Sequence, residues 1–273
     1  MSAAPHRTGS AAGRRPWPPS GPWLLVVADD LGLCPEVNAG ILETVRAGTV
    51  TTADLLVNPP YAADPAEFEA AGAALGLHLN LTHGCPCARA EEVPSLVDGA
   101  GCFLSRREDV LARFALAEAE CELRRQVAWF RAQVGHEPCH LSLHKHLHAH
   151  DARLLRLAAT LARECGAPLR SVDQATRDAC RAQGALTNDA FLGDVRPAPY
   201  WTLERLRGQL ATVAAGVTEL MCHPGREVPP IPGLWYLAER DTERETFCAP
   251  AARVLLSARH LTPCTATVFR EPP

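Results

Sequence analysis

The chain has 273 residues, 47% hydrophobic and 5% aromatic, enough to bury a full core and too apolar for a disordered polypeptide. With 27 Lys and Arg against 31 Asp and Glu, the net charge of −4 excludes the basic balance of a nucleic-acid or anionic-lipid binder. Eleven cysteines without framework spacing fit free thiols in a reducing compartment, and no apolar run approaches the roughly 18–20 residues of a membrane helix.

Residues 1–22, rich in Pro, Gly, Ser and Arg, read as a flexible leader; they lack the apolar centre of a signal peptide, so the default location is cytoplasmic. Residues 23–28 predict a strand, 36–47 a helix closed by Gly48, 51–57 a strand stopped by Asn58-Pro59-Pro60, 65–71 a helix, and 75–81 a third strand. A loop covers 82–103, followed by a long helical pattern over 106–134, a strand at 141–147, a helix at 152–165 and a strand at 168–172. Residues 173–200 read as loop, 203–215 as helix, 217–222 as strand, the 240s to 250s as helix, and the vicinity of 265–269 as a last strand. Short apolar strands alternating with helices imply parallel pairing, and their number fits a closed or distorted (β/α) barrel, with residues 23–273 as a single domain.

Such barrels carry their chemistry where strands end, and polar residues stand there. Asp29 and Asp30 follow the first strand. Adjacent carboxylates repel, so one calls for a cation or a proton, and alternation lets one face a metal while the other reaches a nearby water. A helix cap is the plainer reading of a single aspartate, less so of a doublet before Gly32. His78 and Asn80 share one face of their strand. Residues 140–150 hold five of the eleven histidines. At period two His144, His146, His148 and His150 share a face if the strand persists, and a divalent cation is the usual stabiliser of such a cluster; a solvated polar loop is the alternative. His223 follows the apolar run Leu220-Met221-Cys222 at another strand end.

Several segments occur in the order and spacing of the YdjC family of carbohydrate deacetylases, which the chain resembles across residues 24–225. They are Val26-Val27-Ala28-Asp29-Asp30-Leu31-Gly32, Asn38-Ala39-Gly40-Ile41, Gly48-Thr49-Val50-Thr51, Leu56-Val57-Asn58, Gly76-Leu77-His78, His140-Leu141 with His144, His146 and His148, and Met221-Cys222-His223-Pro224. The resemblance implies a distorted (β/α) barrel similar to polysaccharide deacetylases and one divalent metal held by Asp30, His78 and His144. It also implies Asp29 as general base, His223 as general acid and Arg170 orienting the base. Asn80, His146 and His148 are then candidates for contacting substrate or supporting the ligands. Two departures stand out: Leu31 where the family often has Phe, and Ser142 where it has an acidic residue, which implies looser support for a histidine ligand.

Two imidazoles and a carboxylate leave coordination positions open, as catalytic metals require. The implied reaction is hydrolysis of the acetamide of an N-acetylated amino sugar or oligosaccharide. Asp29 takes the water proton, and His223, held protonated by neighbouring carboxylates, protonates the departing amine. The donor set favours Zn2+, whereas the resemblance brings Mg2+. The partner is a small carbohydrate, with no nucleic acid or membrane, and related barrels often pair as homodimers. Competing readings are another metal-dependent amidohydrolase or phosphoesterase, which usually has His-x-His where this chain has Asp-Asp, and a sugar-binding protein without turnover.

Overall fold

The computed structural model describes residues 21–58, 63–258 and 261–269, so the leader expected at 1–22 lies outside the described residues except for its last two. In chain order come β1 (Pro22–Leu31), α1 (Pro35–Arg46), β2 (Thr52–Leu55), α2 (Pro65–Ala70), β3 (Ala74–Leu79), α3 (Arg107–Arg113), α4 (Leu116–Val134) and β4 (Leu141–Leu143). They are followed by α5 (Ala152–Cys165), α6 (Gln174–Ala182), β5 (Ala190–Leu192), α7 (Leu203–Leu210), β6 (Gly216–Cys222), α8 (Glu239–Cys248), α9 (Pro250–Leu256) and β7 (Thr262–Cys264). All strand pairs are parallel, in the order β4-β3-β2-β1-β6-β5, with β7 beside the first half of β1 and β2 beside its second half. Leu169 bridges Leu141 and donates its N–H to the Leu186 carbonyl at 2.9 Å, and Asp189 donates to the Val217 carbonyl at 2.8 Å. These links curl the sheet round on itself into a distorted (β/α) barrel.

Strand alternation sorts the side chains into three regions. Leu24, Val26, Ala28, Leu75, Leu77, Leu141 and Leu220 face outward and pack with Ile41, Val127, Phe130, Leu154 and Phe247 of the surrounding helices. Leu25, Val27 and Val217 face inward and form an apolar floor with Ala266, Val268 and Phe269. Above that floor the interior turns polar, with Asp29, Asp54, His78, His140, Ser142 and Glu219 all buried. Gly76 makes room for this layer: a Cβ there would lie 2.0 Å from Asp54 Oδ1.

The helix expected over 106–134 is two. Phe114 turns its ring under the Arg153 guanidinium, 4.3 Å away. Ser95 caps the new start, its Oγ accepting from the Ala115 N–H at 2.8 Å and its N–H donating to Glu118 Oε2 at 2.7 Å. The strand expected over 141–147 stops at Leu143, 168–172 reduces to the bridge at Leu169, and the helix of 203–215 ends at Leu210. Residues 173–200 contain α6 and β5, the former opened by Asp173, whose carboxylate accepts from the Thr176 N–H at 2.7 Å. The C-terminal helix divides at Pro250, which has no N–H to continue the ladder, and the last strand is Thr262–Cys264, with Ala266–Phe269 forming a 3-10 turn on the barrel floor. No helix among the described residues is long and apolar enough to cross a membrane.

Candidate active site

β1 delivers both of its carboxylates to one pocket by breaking its own geometry. Asp29 points inward in step with Leu25 and Val27. Asp30 takes a left-handed φ of 72° where the register with β2 shifts, which turns its side chain toward the same space. Such a backbone costs on the order of 1–3 kcal/mol in a non-glycine residue and is held by its surroundings. Asn38 Oδ1 accepts from the Gly32 N–H at 2.7 Å, fixing the turn that follows.

Three donor atoms meet in that space. Asp30 Oδ1 lies 3.0 Å from His144 Nδ1 and 3.4 Å from His78 Nε2, and the two ring nitrogens are 3.3 Å apart. Donors about 2.0–2.2 Å from a common ion are separated by about this much in tetrahedral or octahedral coordination. The atoms are free to serve: Asp30 Oδ1 is buried without a hydrogen-bond partner. His78 Nδ1–H donates to Ser142 Oγ at 2.6 Å, and Ser142 Oγ donates to Asp54 Oδ2, so the lone pair of His78 faces Asp30 and His144 through Nε2. The support expected to be missing at Ser142 therefore comes from Asp54 on β2, across β3 from Ser142, carried by the serine hydroxyl.

Asp29, Asp54 and His78 also lie close enough to share an ion, but a guanidinium fills that side. Arg170 donates from Nη1 and Nη2 to the two Asp29 oxygens at 2.6 and 2.7 Å and from Nε to Glu219 Oε1 at 2.5 Å, with Nη2 3.8 Å from Asp54. A cation there would stand against a fixed positive charge. Asp30, His78 and His144 form the set that fits a metal.

Burial opposes charge on each of these acids, and their cationic neighbours outweigh it. Arg170, with His78, holds Asp29 below the usual carboxylate range, while Arg240 holds Asp30 well below it. His140 and Arg170 do the same for Asp54 and for Glu219. His140 donates from Nδ1 to Asp54 at 2.9 Å and from Nε2 to Glu219 at 3.2 Å. Despite burial, those two carboxylates push it up to about 10, so it is an imidazolium. Burial keeps His144 neutral in spite of Asp30, as a metal ligand must be.

The remaining histidines of 140–150 do not share a face. Beyond Leu143 the chain turns through left-handed Lys145 (φ 55°) and His146 (φ 52°) and scatters them. His146 lines the cavity edge-on to Phe191, 5.9 Å between centroids, with its Nδ1 buried and unpartnered. His148 lies beneath, donating from Nε2 to the Arg170 carbonyl at 2.9 Å and so fixing the arginine that grips Asp29. His150 accepts from Arg107 Nη1 at 2.9 Å on an exposed edge. Asn80 is 1% exposed and works inside the following loop: Oδ1 accepts from the Thr82 and His83 N–H groups, and Nδ2 donates to Asn58 and to the His83 carbonyl.

His223 places Nε2 3.9 Å from Asp29 Oδ2, with its backbone N–H donating to Glu243 at 2.6 Å. Burial, aided by Arg240 and Arg170, pushes it down to about 4 against the pull of Asp30 and Asp29. Its resting form is thus neutral, not the imidazolium that neighbouring carboxylates were expected to enforce.

Asp29, Asp30, His78, His144, His146 and His223 line a cavity of about 670 Å³, within the range of small-molecule sites. Trp235, 53% exposed, also lines it, edge-to-face with Tyr236 at 5.6 Å and with the Arg196 guanidinium 5.0 Å from its ring centre. Sequence reasoning missed Arg240, Asp54, Glu219 and Trp235. Arg240 is 3% exposed and donates from Nη2 to Asp30 Oδ2 at 2.5 Å, leaving Oδ1 for an ion. A signal existed for three of the four. Asp54 and Glu219 are charges inside apolar strand runs, and Arg240, Glu243 and Phe247 share a face of α8 at helical spacing.

The sequence matches the family described as YdjC-like protein over residues 23–258. It is 32% identical to a carbohydrate deacetylase of Mus musculus, over 88% of this chain and 93% of that one. It is 31% identical to a chitooligosaccharide deacetylase of Serratia marcescens, over 86% of this chain and 94% of the relative. A crystal structure from Enterococcus faecalis, described as that of a candidate cellobiose-phosphate cleavage protein, superposes with a TM-score of 0.80 at 28% identity, covering 90% of this chain and 98% of that one.

Proposed function

The chain belongs to the YdjC-like family, and from that membership and the site geometry we propose a metal-dependent carbohydrate deacetylase that releases acetate from an N-acetylated amino sugar or oligosaccharide. One observation carries the reading. Three converging donors, one of them an orphaned buried carboxylate oxygen, sit beside a second carboxylate kept ionised by a bidentate arginine, at the base of a saccharide-sized cavity. A divalent cation held by Asp30, His78 and His144 would supply Lewis acidity at the acetamide carbonyl and a water of lowered pKa. Two imidazoles in the donor set favour zinc over magnesium.

The chain's own residues perform the proton transfers. Asp29 is ionised, aimed by Arg170 and only 3.8 Å from His78 Nε2, so its Oδ2 is the base next to the reacting water. His223 neighbours that oxygen. Its depressed basicity makes it a strong acid once it has received the proton, which suits transfer to the departing sugar nitrogen. His146 presents an unpartnered nitrogen to the cavity for a substrate hydroxyl, and the exposed face of Trp235 suits the apolar face of a sugar ring.

The test is acetate release from N-acetylated mono- and oligosaccharides by chelated protein and by protein restored with each divalent ion. Activity should return with zinc or another transition metal, and His144→Ala should lose both bound metal and turnover. Full metal occupancy in that variant, or no acetate from any saccharide amide, would overturn the assignment.

A further inference from the structure

Away from the site, the long connection between β3 and α3 brings two thiols together. Cys85 Sγ and Cys102 Sγ lie 3.5 Å apart, both unbonded and both partly exposed. Their meeting is imposed by the backbone: the Phe103 N–H donates to the Gly84 carbonyl at 2.9 Å, and Val97 pairs antiparallel with Phe103. Asp98 Oδ1 closes the turn by accepting from the Ala100 and Cys102 N–H groups at 2.8 and 3.1 Å, and Asn58 Nδ2 holds the Cys85 carbonyl at 3.2 Å. The nearby Cys87 is turned away. Its Sγ faces the Val57 carbonyl at 3.9 Å, and burial beside Glu122 pushes its thiol up to about 12.

We propose that Cys85 and Cys102 form a reversible thiol–disulfide pair, oxidised by a low-molecular-weight disulfide such as oxidised glutathione. One cysteine thiolate attacks the glutathione disulfide, breaking its S–S bond, expelling one glutathione thiolate and leaving a mixed disulfide. The second cysteine thiolate attacks the protein sulfur of that adduct, forms the Cys85–Cys102 bond and expels the second glutathione. Two protein thiols are oxidised by two electrons and one glutathione disulfide is reduced to two thiols. The sulfurs must approach from 3.5 Å to the roughly 2.05 Å of a disulfide, within a frame the backbone already holds. The closed loop ends just before Ser105, whose carbonyl accepts from Lys145 Nζ at 2.5 Å where both residues line the cavity. The bond therefore ties the segment that leads into this cavity wall to the start of the connection after β3.

The full chain, equilibrated in oxidised or reduced glutathione, is alkylated and digested with trypsin without reduction; cleavage after Arg89 places the two cysteines in separate peptides. Expected are a mass lower by two hydrogens, a linked Cys85–Cys102 peptide pair, and a melting temperature raised by about 5 °C, all reversed by dithiothreitol. Cys102→Ser should lose the link and the shift, and Cys87→Ser should keep both. Independent alkylation of both thiols after oxidation, arrest at glutathione adducts, or a link to Cys87 would each overturn the proposal; Cys85 and Cys87 share one tryptic peptide, so fragmentation of the linked wild-type pair between them assigns the bond whether or not a variant folds.

Discussion

Replacing Ser142 with alanine tests whether Asp54 supports the proposed metal site through a relay. The hydroxyl accepts from His78 Nδ1 at 2.6 Å and donates to Asp54. Its removal leaves a donor unpaired in a ring only 2% exposed. An unsatisfied buried donor costs about 1–3 kcal/mol, and loss of the group that orients a ligand histidine costs about 10–100-fold in metal affinity. The two ranges agree, since tenfold is about 1.4 kcal/mol. Asp54 keeps its 2.9 Å bond to His140, so the barrel interior should hold. The assay is a zinc titration of chelator-stripped wild type and Ser142→Ala against a competing chelator, with acetate release measured at saturating metal. Affinity should fall by one to two powers of ten, and excess metal should restore most of kcat. Unchanged affinity would refute the relay.

Asp29→Asn should lower kcat/KM by about 10²–10⁴ while leaving zinc affinity within a few-fold, checked by acetate release beside metal titration. Trp235→Ala should raise KM about 3–10-fold for a di- or trisaccharide and less for the monosaccharide, with kcat unchanged; equal effects on both substrates would exclude ring stacking at the mouth. For pH, His140 is raised from an ordinary 6.5 to about 10 by Asp54 and Glu219, which outweigh its burial. The folded state therefore binds the extra proton, and the stabilisation is complete below about 6.5 and is lost as pH rises through 10. The melting temperature of the wild type should decline across that window, and its advantage over His140→Gln should shrink in parallel.

The fold was legible where periodicity is strong. Residues 152–165 form α5 as read, because they bury one continuous stripe, and 217–222 form nearly all of β6, because the short apolar run is buried on both faces. Boundaries failed where a distant residue decides them. Nothing local to Phe114 announces that Ser95 will cap a new helix at Ala115. The convergence of Asp30, His78 and His144 was legible because each stands at or near the end of a strand. The histidine cluster misled because two left-handed residues end the alternation that grouped it. Some of the motif residues that marked the family prove architectural: Asn38 pins the turn after Asp30, and Gly40 admits Gly225, whose Cα a Cβ would approach to 2.5 Å. A shared sequence pattern marks the frame that builds a site as much as the groups that use it.

The polar interior becomes intelligible as a charge balance. Asp29, Asp30, Asp54 and Glu219 are all held ionised inside the barrel, against three fixed cations: Arg170, Arg240 and the His140 imidazolium. One negative charge is left over, and burying it alone would be costly. Each of the other acid oxygens nearby has a donor, so the surplus falls on Asp30 Oδ1, the oxygen with no hydrogen bond. A proton on His78 can neutralise it: burial disfavours that charge, but Asp29 and Asp30 outweigh burial and raise the pKa. A divalent cation held by His78 and His144 as well as Asp30 would do so better, with release of that proton. Arg170 and Arg240 thus do more than hold two aspartates in place. By neutralising every site but one, they leave the Asp30 corner as the place best suited to the proposed metal.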